Sequence, residues 1–302
     1  MDYSKLPTEM QNPKTRSLDT LSIDRILSLI DQEDRSVPLA VKRVNPAIRR
    51  AVRIIVASLK KGGRLFFVGA GTSGRLGVLE AAECPPTFNT PPSLVQAVMA
   101  GGRRAVFRSR EGVEDRAGEA RREIRKRVRT NDAVVGITAS GVTHFVRGAL
   151  REAKKRGART ILVAANHWSP LRSQVDVLIA PRTGPELIAG STRLKAGTAA
   201  KLIHNRLTVA SMVRLGKVYQ NWMVDLQPRS RKLEARALRI LKRFTGLSDQ
   251  KAKDVLKKAK GSVKVAILMA KKQLPYADAC RHLRKKNGSL RQALVPPPRD
   301  AQ

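Results

Sequence analysis

Five short apolar runs alternate with longer helical patterns between residues 64 and 217. None of the runs alternates with polar residues, which is typical of parallel strands that are buried on both faces. Each run is followed by glycines or hydroxyl residues and then by a stretch with helical spacing. The predicted strands are 65–68, 94–99, 133–138, 160–164 and 175–179. The pattern therefore predicts an α/β fold with an open parallel five-stranded sheet flanked by helices.

The flanking segments contain no further strand pattern. Residues 1–18 have the composition of an extended arm, and helices are expected at 22–34 and from Pro38 to residue 60, the second interrupted near Pro46. After residue 233, a linking helix and three short helices at 249–260, 262–272 and 275–286 are expected. The predicted division is an N-terminal segment (1–60), the sheet domain (61–228), a helical C-terminal unit (229–295) and a disordered tail (296–302).

The first strand ends in a turn with the pattern G-x-G-x-x-G, at Gly69, Gly71 and Gly74, with Thr72 and Ser73 between the glycines. A dinucleotide site needs an acidic residue about 20 residues further on; the second strand ends in Ala-Gly-Gly-Arg instead. A Walker loop is excluded because no Gly-Lys-Ser/Thr follows. The remaining interpretations are a turn that binds one phosphate through backbone N–H groups and hydroxyls, or an ordinary tight turn. The following helix is expected over 76–83, ended by two prolines.

A second turn of the same character follows the third strand and contains Thr138, Ser140, Gly141 and Thr143. In an open α/β sheet, ligands bind at the carboxyl ends of the strands, where the strand order reverses. We therefore expect both turns to hold one phosphate. Ser73, Ser140 and Thr143 are the expected ligands.

Four longer motifs carry a resemblance to the N-acetylmuramic acid 6-phosphate etherases. They are GAGTSGRLGVLEAAECPPTF (69–88), EGVED (111–115), GSTRLKAGTAAK (190–201) and GKVYQNWMVDL (216–226). The resemblance spans nearly the whole chain and implies a sugar isomerase domain with flavodoxin-like strand order, a homodimer, and a C-terminal unit similar to ubiquitin-associated domains. This family is related to the glucokinase regulatory protein, which implies an alternative: a non-catalytic regulatory protein that senses a sugar phosphate.

The resemblance also implies an activity, the cleavage of the D-lactyl ether by elimination followed by addition of water. Two carboxylates match the family's catalytic positions: Glu83 as the proton donor and acid/base, and Glu114 as an assisting group that activates water. Thr72 and Thr138 are expected behind the phosphate ligands. A further polar cluster, with a substrate-binding role or a capping role, consists of Ser191, Arg193 and Lys195. No cofactor and no metal are expected, since the four histidines lack metal-ligand spacing.

Two segments depart from the family's common pattern. Residues 139–146 read ASGVTHFV where ASGRTPYV is common, and residues 229–233 read RSRKL where TNEKL is common. Either difference can change ligand fit or turnover, but both glutamates are retained. An active enzyme is therefore the preferred interpretation.

Composition adds an unusual charge to this picture. The 302 residues include 60 Lys and Arg but only 24 Asp and Glu, so the net charge is +36. The basic residues are dispersed over predicted helices and aromatic residues make up only 4%, so we expect no specific nucleic-acid partner. Two cysteines and the absence of a long apolar run predict a cytoplasmic protein without a membrane anchor. The resemblance implies that its partner is a small phosphosugar.

Overall fold

The computed structural model describes residues 4, 6–228 and 230–295. Strands and helices alternate up to residue 179, and the later named elements are helices. Their bounds are α1 Ile23–Arg43, α2 Asn45–Lys60, β1 Leu65–Gly69, α3 Gly71–Phe88, β2 Val95–Met99, α4 Arg104–Phe107, α5 Ala117–Arg127, β3 Ala133–Ile137, α6 His144–Lys155, β4 Arg159–Val163, β5 Val177–Ile179, α7 Lys195–Arg214, α8 Arg231–Thr245, α9 Asp249–Lys258, α10 Val263–Lys272, α11 Tyr276–Lys285 and α12 Leu290–Leu294.

The five strands form one sheet in the order β2-β1-β3-β4-β5, and all neighbouring pairs are parallel. Leu65 of β1 pairs in register with Val95 of β2 on one side and with Ala133 of β3 on the other. The strand order reverses between β1 and β3, so the carboxyl ends of these two strands flank the switch point. The predicted fold class and strand order are confirmed.

The sheet is buried because helices cover its apolar strands. Every residue of β1 and β3 is buried. On one side of the sheet, Phe66 and Val134 pack in a cluster with Phe145 and Leu150 of α6. Helix α6 approaches β3 so closely that a Cβ on Gly136 would lie 2.7 Å from Cγ1 of Val146. This packing fixes where α6 begins, directly after the hydroxyl-rich turn that follows β3.

Two helix boundaries differ from the prediction, and both involve proline. Helix α1 runs through Pro38 to Arg43 instead of ending at residue 34, and the predicted interruption near Pro46 is the break before α2, which begins at Asn45. Helix α3 begins at Gly71 instead of residue 76 and continues through Pro85 and Pro86 to Phe88. A proline inside a helix removes one hydrogen bond, and burial of the helix's apolar residues can outweigh that loss.

The helices after residue 230 form their own core. It contains Val224 and Leu226 together with apolar residues of α8 to α12. The three predicted short helices are present as α9, α10 and α11, each ending within two residues of the prediction. Helix α12 was not predicted.

A lysine lies within this helical unit. The ammonium of Lys264 donates to the backbone oxygens of Gly216 and Gly288, at 2.9 and 2.8 Å, and to Oδ2 of Asp225 at 2.9 Å. Burial lowers the pKa of Lys264, and the carboxylate of Asp225 opposes that shift. The three bonds tie together segments that are distant in sequence.

The chain divides into two compact units, one with residues up to 82 and 92–209, and the other with residues 83–91 and those from 210 onward. The predicted four-part division at residues 60, 228 and 295 stays a prediction. The predicted tail, 296–302, lies outside the described residues. Across the described part of the chain, no helix has the length and apolar character needed to cross a membrane.

Candidate active site

The turn between β1 and α3 is tight enough to require glycine at two positions. A Cβ on Gly69 would lie 2.7 Å from the backbone nitrogen of Gly74, and a Cβ on Gly74 would lie 2.7 Å from the oxygen of Gly69. Thr72 and Ser73 consequently fall in the first turn of α3. Backbone N–H groups at the start of a helix lack partners within the helix, so this turn offers N–H groups and hydroxyls to an anion.

The turn between β3 and α6 is organised around the hydroxyl of Thr138. Its Oγ1 lies 2.7 Å from Oγ1 of Thr143 and 3.2 Å from Oγ of Ser140, and it accepts from the N–H of Gly141 at 3.2 Å. Thr138 is buried, whereas Ser140 and Thr143 are half-buried. The structure therefore brings three predicted phosphate-binding residues into one hydrogen-bonded group.

A loop after β4 holds this second turn in place. The side-chain amide of Asn166 donates to the oxygen of Ser140 at 2.9 Å, and the hydroxyl of Ser169 donates to the oxygen of Gly141 at 2.6 Å. Gly141 has a φ of +75°, and a Cβ there would lie 2.8 Å from Cβ of Ser169. Only glycine satisfies both conditions, so the turn is fixed in conformation.

A pocket joins the two turns at the carboxyl ends of the strands. The pocket is small, with a volume of about 10 Å³ that holds about one water molecule, and it is partly open to solvent. Ser73 and Thr138 line it, together with Ala165 after β4 and Ala196 and Gly197 at the start of α7. The two predicted phosphate turns thus face one pocket.

Glu114 lies beside the second turn through a backbone bond. Its carbonyl accepts from the N–H of Phe145, in the first turn of α6, at 2.7 Å. Neighbouring carboxylates have other partners: Asp115 Oδ1 lies 3.1 Å from Nδ1 of His144, and Glu111 Oε1 accepts from a serine hydroxyl at 3.2 Å. The half-buried side chain of Glu114 has no hydrogen-bond or ion-pair partner among the described residues.

Arg75 connects the first turn to the segment that leads to Glu114. Its Nε donates to the oxygen of Val106 and its Nη2 to the oxygen of Ala105, both at 2.9 Å. These carbonyls belong to α4. Arginine presents several fixed donors, so one side chain can hold two carbonyls at once.

Two glutamates on α3 have different surroundings. Glu80 is buried, accepts from the ammonium of Lys201 at 2.8 Å and from the hydroxyl of Thr208, and is held by α7. Glu83 is exposed, and within the described ranges no group pairs with its carboxylate. Glu80 is thus held within the fold, whereas the side chain of Glu83 is exposed to solvent.

The structure does not gather Ser191, Arg193 and Lys195 into one site. The ammonium of Lys195 is buried and pairs with the carboxylate of Glu33. Burial alone would raise the pKa of Glu33, but hydrogen bonds from Lys195 and then Lys14 outweigh it and lower that pKa. Arg193 is exposed and Ser191 is half-buried. A ligand role for these three residues stays a prediction.

Glu186 occupies the start of α7. Its carboxylate accepts from the N–H groups of Lys195 and Ala196, at 2.8 and 2.9 Å. Burial raises the pKa of Glu186, against these two hydrogen bonds. The first N–H groups of α7 are therefore engaged by the protein. In the described part of the chain, no three His, Cys, Asp or Glu side chains are grouped as a metal site.

Two protein-family models match overlapping parts of this chain. Residues 47–154 match the glucokinase regulatory protein N-terminal SIS domain, and residues 113–200 match the SIS domain. The N-acetylmuramic acid 6-phosphate etherase of Geobacillus thermodenitrificans is 47% identical over 96% of this chain and 98% of its own length. The protein of that name from Picosynechococcus sp. is 48% identical over 96% of both chains. The chain belongs to the N-acetylmuramic acid 6-phosphate etherase family.

A solved structure supports the fold of this family member. A Bacteroides fragilis NCTC 9343 protein, assigned as a phosphosugar isomerase involved in capsule formation, matches with a TM-score of 0.50. The match is 23% identical and covers 66% of this chain and 94% of that one. The sugar isomerase fold is thereby shown.

The departures of this etherase-family chain at residues 139–146 now have a structural context. Val142 and Phe145 are buried, and Phe145 is part of the core around α6. His144 begins α6 and contacts Asp115. The altered residues therefore pack or pair within the protein, while the hydroxyls of Ser140 and Thr143 keep their places in the turn.

Three residues of the site were missed from the sequence. Asn166 and Ser169 fix the second turn, and Arg75 holds α4. The signal for Asn166 was available, because polar residues directly after the apolar run at 160–164 are expected at the same edge of the sheet. Arg75 gave no such signal, since its partners are backbone carbonyls about 30 residues away.

Proposed function

We propose that this protein is an N-acetylmuramic acid 6-phosphate etherase, a carbon–oxygen lyase. It converts N-acetylmuramic acid 6-phosphate and water to N-acetylglucosamine 6-phosphate and D-lactate, in the recycling of cell-wall amino sugars. The observation that carries the proposal is the 47–48% identity to proteins of that name over nearly the whole chain. The two hydroxyl-rich turns that meet at the pocket support a phosphate ligand.

The phosphate is assigned to the two turns. Ser73, Ser140 and Thr143 contact its oxygens, with Thr72 and Thr138 behind them. The hydrogen bonds of Thr138 to Ser140 and Thr143 support this arrangement, because they hold both hydroxyls in place before the ligand arrives. N–H groups in the first turn of α3 add further donors to the anion.

The reaction needs proton transfer at two stages, which carboxylates can supply. A base takes the proton from C2 of the open-chain sugar, lactate leaves from C3, and water then adds across the double bond. We assign Glu83 to the first proton transfer and to protonation of the departing lactate. Its exposed, unpaired carboxylate supports this role, in contrast to the bonded Glu80 on the same helix.

Glu114 is assigned to activation of the added water. Of the three carboxylates in EGVED, those of Glu111 and Asp115 have side-chain partners, and that of Glu114 has none among the described residues. Its backbone bond to Phe145 keeps it next to the phosphate turn. We further propose a cytoplasmic homodimer that needs no cofactor.

The test measures D-lactate released from N-acetylmuramic acid 6-phosphate by the purified protein. We expect Glu83→Gln to lower lactate release about 100-fold or more without weakening N-acetylglucosamine 6-phosphate binding. Glu234→Gln, at an exposed glutamate on α8, is the matched control and should retain full activity. Absence of lactate release by the unaltered protein at every pH from 6 to 9 would refute the proposal.

The alternative, a non-catalytic regulator that senses a sugar phosphate, is motivated by the match of residues 47–154 to the glucokinase regulatory protein domain. The full-length relatives named as etherases favour the enzyme. The same assay separates the two. A regulator would bind N-acetylglucosamine 6-phosphate without releasing lactate from the ether, and Glu83→Gln would leave that binding and every other property unchanged.

A further inference from the structure

A basic groove lies along α5 and α6. Its lining includes Arg121 of α5, Arg151, Lys154 and Lys155 of α6, and the buried Glu152 between them.

 The groove has a volume of about 650 Å³ and is open to solvent. All four cationic side chains are exposed. The lining therefore presents four positive charges to one solvent-accessible space.

The one acidic side chain of the groove does not offset these charges. Oε1 of Glu152 accepts from Nε of Arg125 at 3.1 Å. This hydrogen bond is the main cause that lowers the pKa of Glu152, against the effect of burial. Glu152 is thus a buried carboxylate matched mainly by Arg125, with a weaker attraction to Lys155, and it offsets little of the groove's positive charge.

Two of the cations are oriented by the loop before β5. Nε of Arg151 donates to Oε1 of Gln174 at 2.7 Å, and Nζ of Lys154 lies 3.4 Å from the backbone oxygen of Gln174. Arg151, Lys154 and Lys155 are spaced i, i+3 and i+4, so they share one face of α6. The remaining donors of these side chains stay free for an anionic ligand.

The groove lies at the opposite edge of the sheet from the phosphate pocket. Thr143 precedes the first residue of α6 at the pocket, whereas Lys154 and Lys155 are in its last turn. Helix α6 connects parallel strands β3 and β4, so its two ends lie at opposite edges of the sheet. A ligand of the groove would therefore not compete with a sugar phosphate.

We propose that this groove binds the phosphate backbone of double-stranded nucleic acid without sequence preference. Arginine and lysine are the side chains that bind phosphodiesters, and neutralised phosphates release counterions. The lining has no apolar side chain to enter a membrane and no aromatic ring to stack on unpaired bases. The net charge of +36 adds long-range attraction to any polyanion.

The experiment measures anisotropy of a fluorescent 20-base-pair DNA duplex, titrated with the full chain at 50 to 200 mM salt. The groove variant replaces four cations with serine: Arg121, Arg151, Lys154 and Lys155. The control variant makes the same change in net charge at four exposed lysines of α9: Lys251, Lys253, Lys257 and Lys258. Thermal melting checks that both variants fold, and the double change Lys154→Gln/Lys155→Gln replaces the groove variant if it does not.

We expect the slope of log K against log salt concentration to fall by about 3 to 4 in the groove variant, since each phosphate contact contributes about 0.9. The control should change the slope by less than about 1, and added N-acetylglucosamine 6-phosphate should not displace the duplex. Equal losses in both variants would overturn the proposal in favour of general charge attraction. Tighter binding to single-stranded DNA or to anionic vesicles, or no duplex binding at 50 mM salt, would also overturn it.

Discussion

His204 is expected to make this protein sensitive to acid. The side chain lies on α7, is fully buried, and its ring centroid is 5.2 Å from that of Phe67 in β1. Neither ring nitrogen has a hydrogen-bond partner among the described residues. Burial, assisted by the charge of Lys201, lowers the pKa of His204 from 6.5 to about 3. The folded protein therefore holds this imidazole neutral well below the pH at which the unfolded chain protonates it.

The sign and size of the effect follow from these two pKa values. The unfolded state binds a proton below pH 6.5 and the folded state does not, so stability is fully present above pH 6.5 and falls as the pH drops toward 3. Each unit by which the pH falls in this window lowers the free energy of unfolding by about 1.4 kcal/mol. At pH 4.5, two units below the unfolded pKa, the loss amounts to about 2.7 kcal/mol.

The assay compares urea denaturation of the protein and of His204→Leu at pH 7.5 and pH 4.5. Leucine has a similar volume and the ring has no hydrogen bond to lose, so the two should be equally stable at pH 7.5 to within about 1 kcal/mol. At pH 4.5 the variant should be more stable by about 2 to 3 kcal/mol. His144→Leu, at a partly exposed histidine, is the control. If the two stability profiles run parallel from pH 7.5 to 4.5, the reasoning is refuted.

Three further substitutions test other parts of the molecule. Lys264→Met removes a buried ammonium from two backbone oxygens and from Asp225, which keeps its ion pair with Lys217. It should lower the free energy of unfolding by about 1 to 3 kcal/mol, measured with urea. Gly136→Ala brings a Cβ to within 2.7 Å of Val146 Cγ1 and should cost about 1 to 3 kcal/mol in the same assay. Arg75→Met releases the two carbonyls of α4 before Glu114; lactate release should fall about tenfold with unchanged N-acetylglucosamine 6-phosphate affinity, corresponding to about 1.4 kcal/mol in the transition state.

The sheet could be predicted because its strands are buried on both faces. In β1 and β3 every residue is buried, so an uninterrupted apolar run was a sufficient signal. Helix boundaries at prolines could not be predicted in the same way. Pro38 and Pro85 each remove one backbone donor, and packing of the surrounding helix, which involves residues distant in sequence, decides whether the helix continues.

The same distinction applies to the site. The two turns could be predicted because each follows its own strand, and parallel strands bring their carboxyl ends to one edge. The environment of Lys195 could not be predicted, because its partner Glu33 lies 162 residues earlier in the chain. A lysine near a helix start has the same local sequence whether it faces a ligand or a buried carboxylate.

The cations at the end of α6 serve the helix as well as the proposed groove. Lys154 and Lys155 lie in its last turn, where positive charge interacts favourably with the helix dipole, at about 0.3 to 1 kcal/mol for each residue. Arg121 and Arg151 lie further from the helix ends and have little of this effect. The four-residue groove variant should therefore lose about 1 to 2 kcal/mol of stability, which a domain with a typical 5 to 15 kcal/mol tolerates. If the groove variant stays folded and its DNA binding depends less on salt, the loss of binding comes from the lost phosphate contacts and not from unfolding of α6.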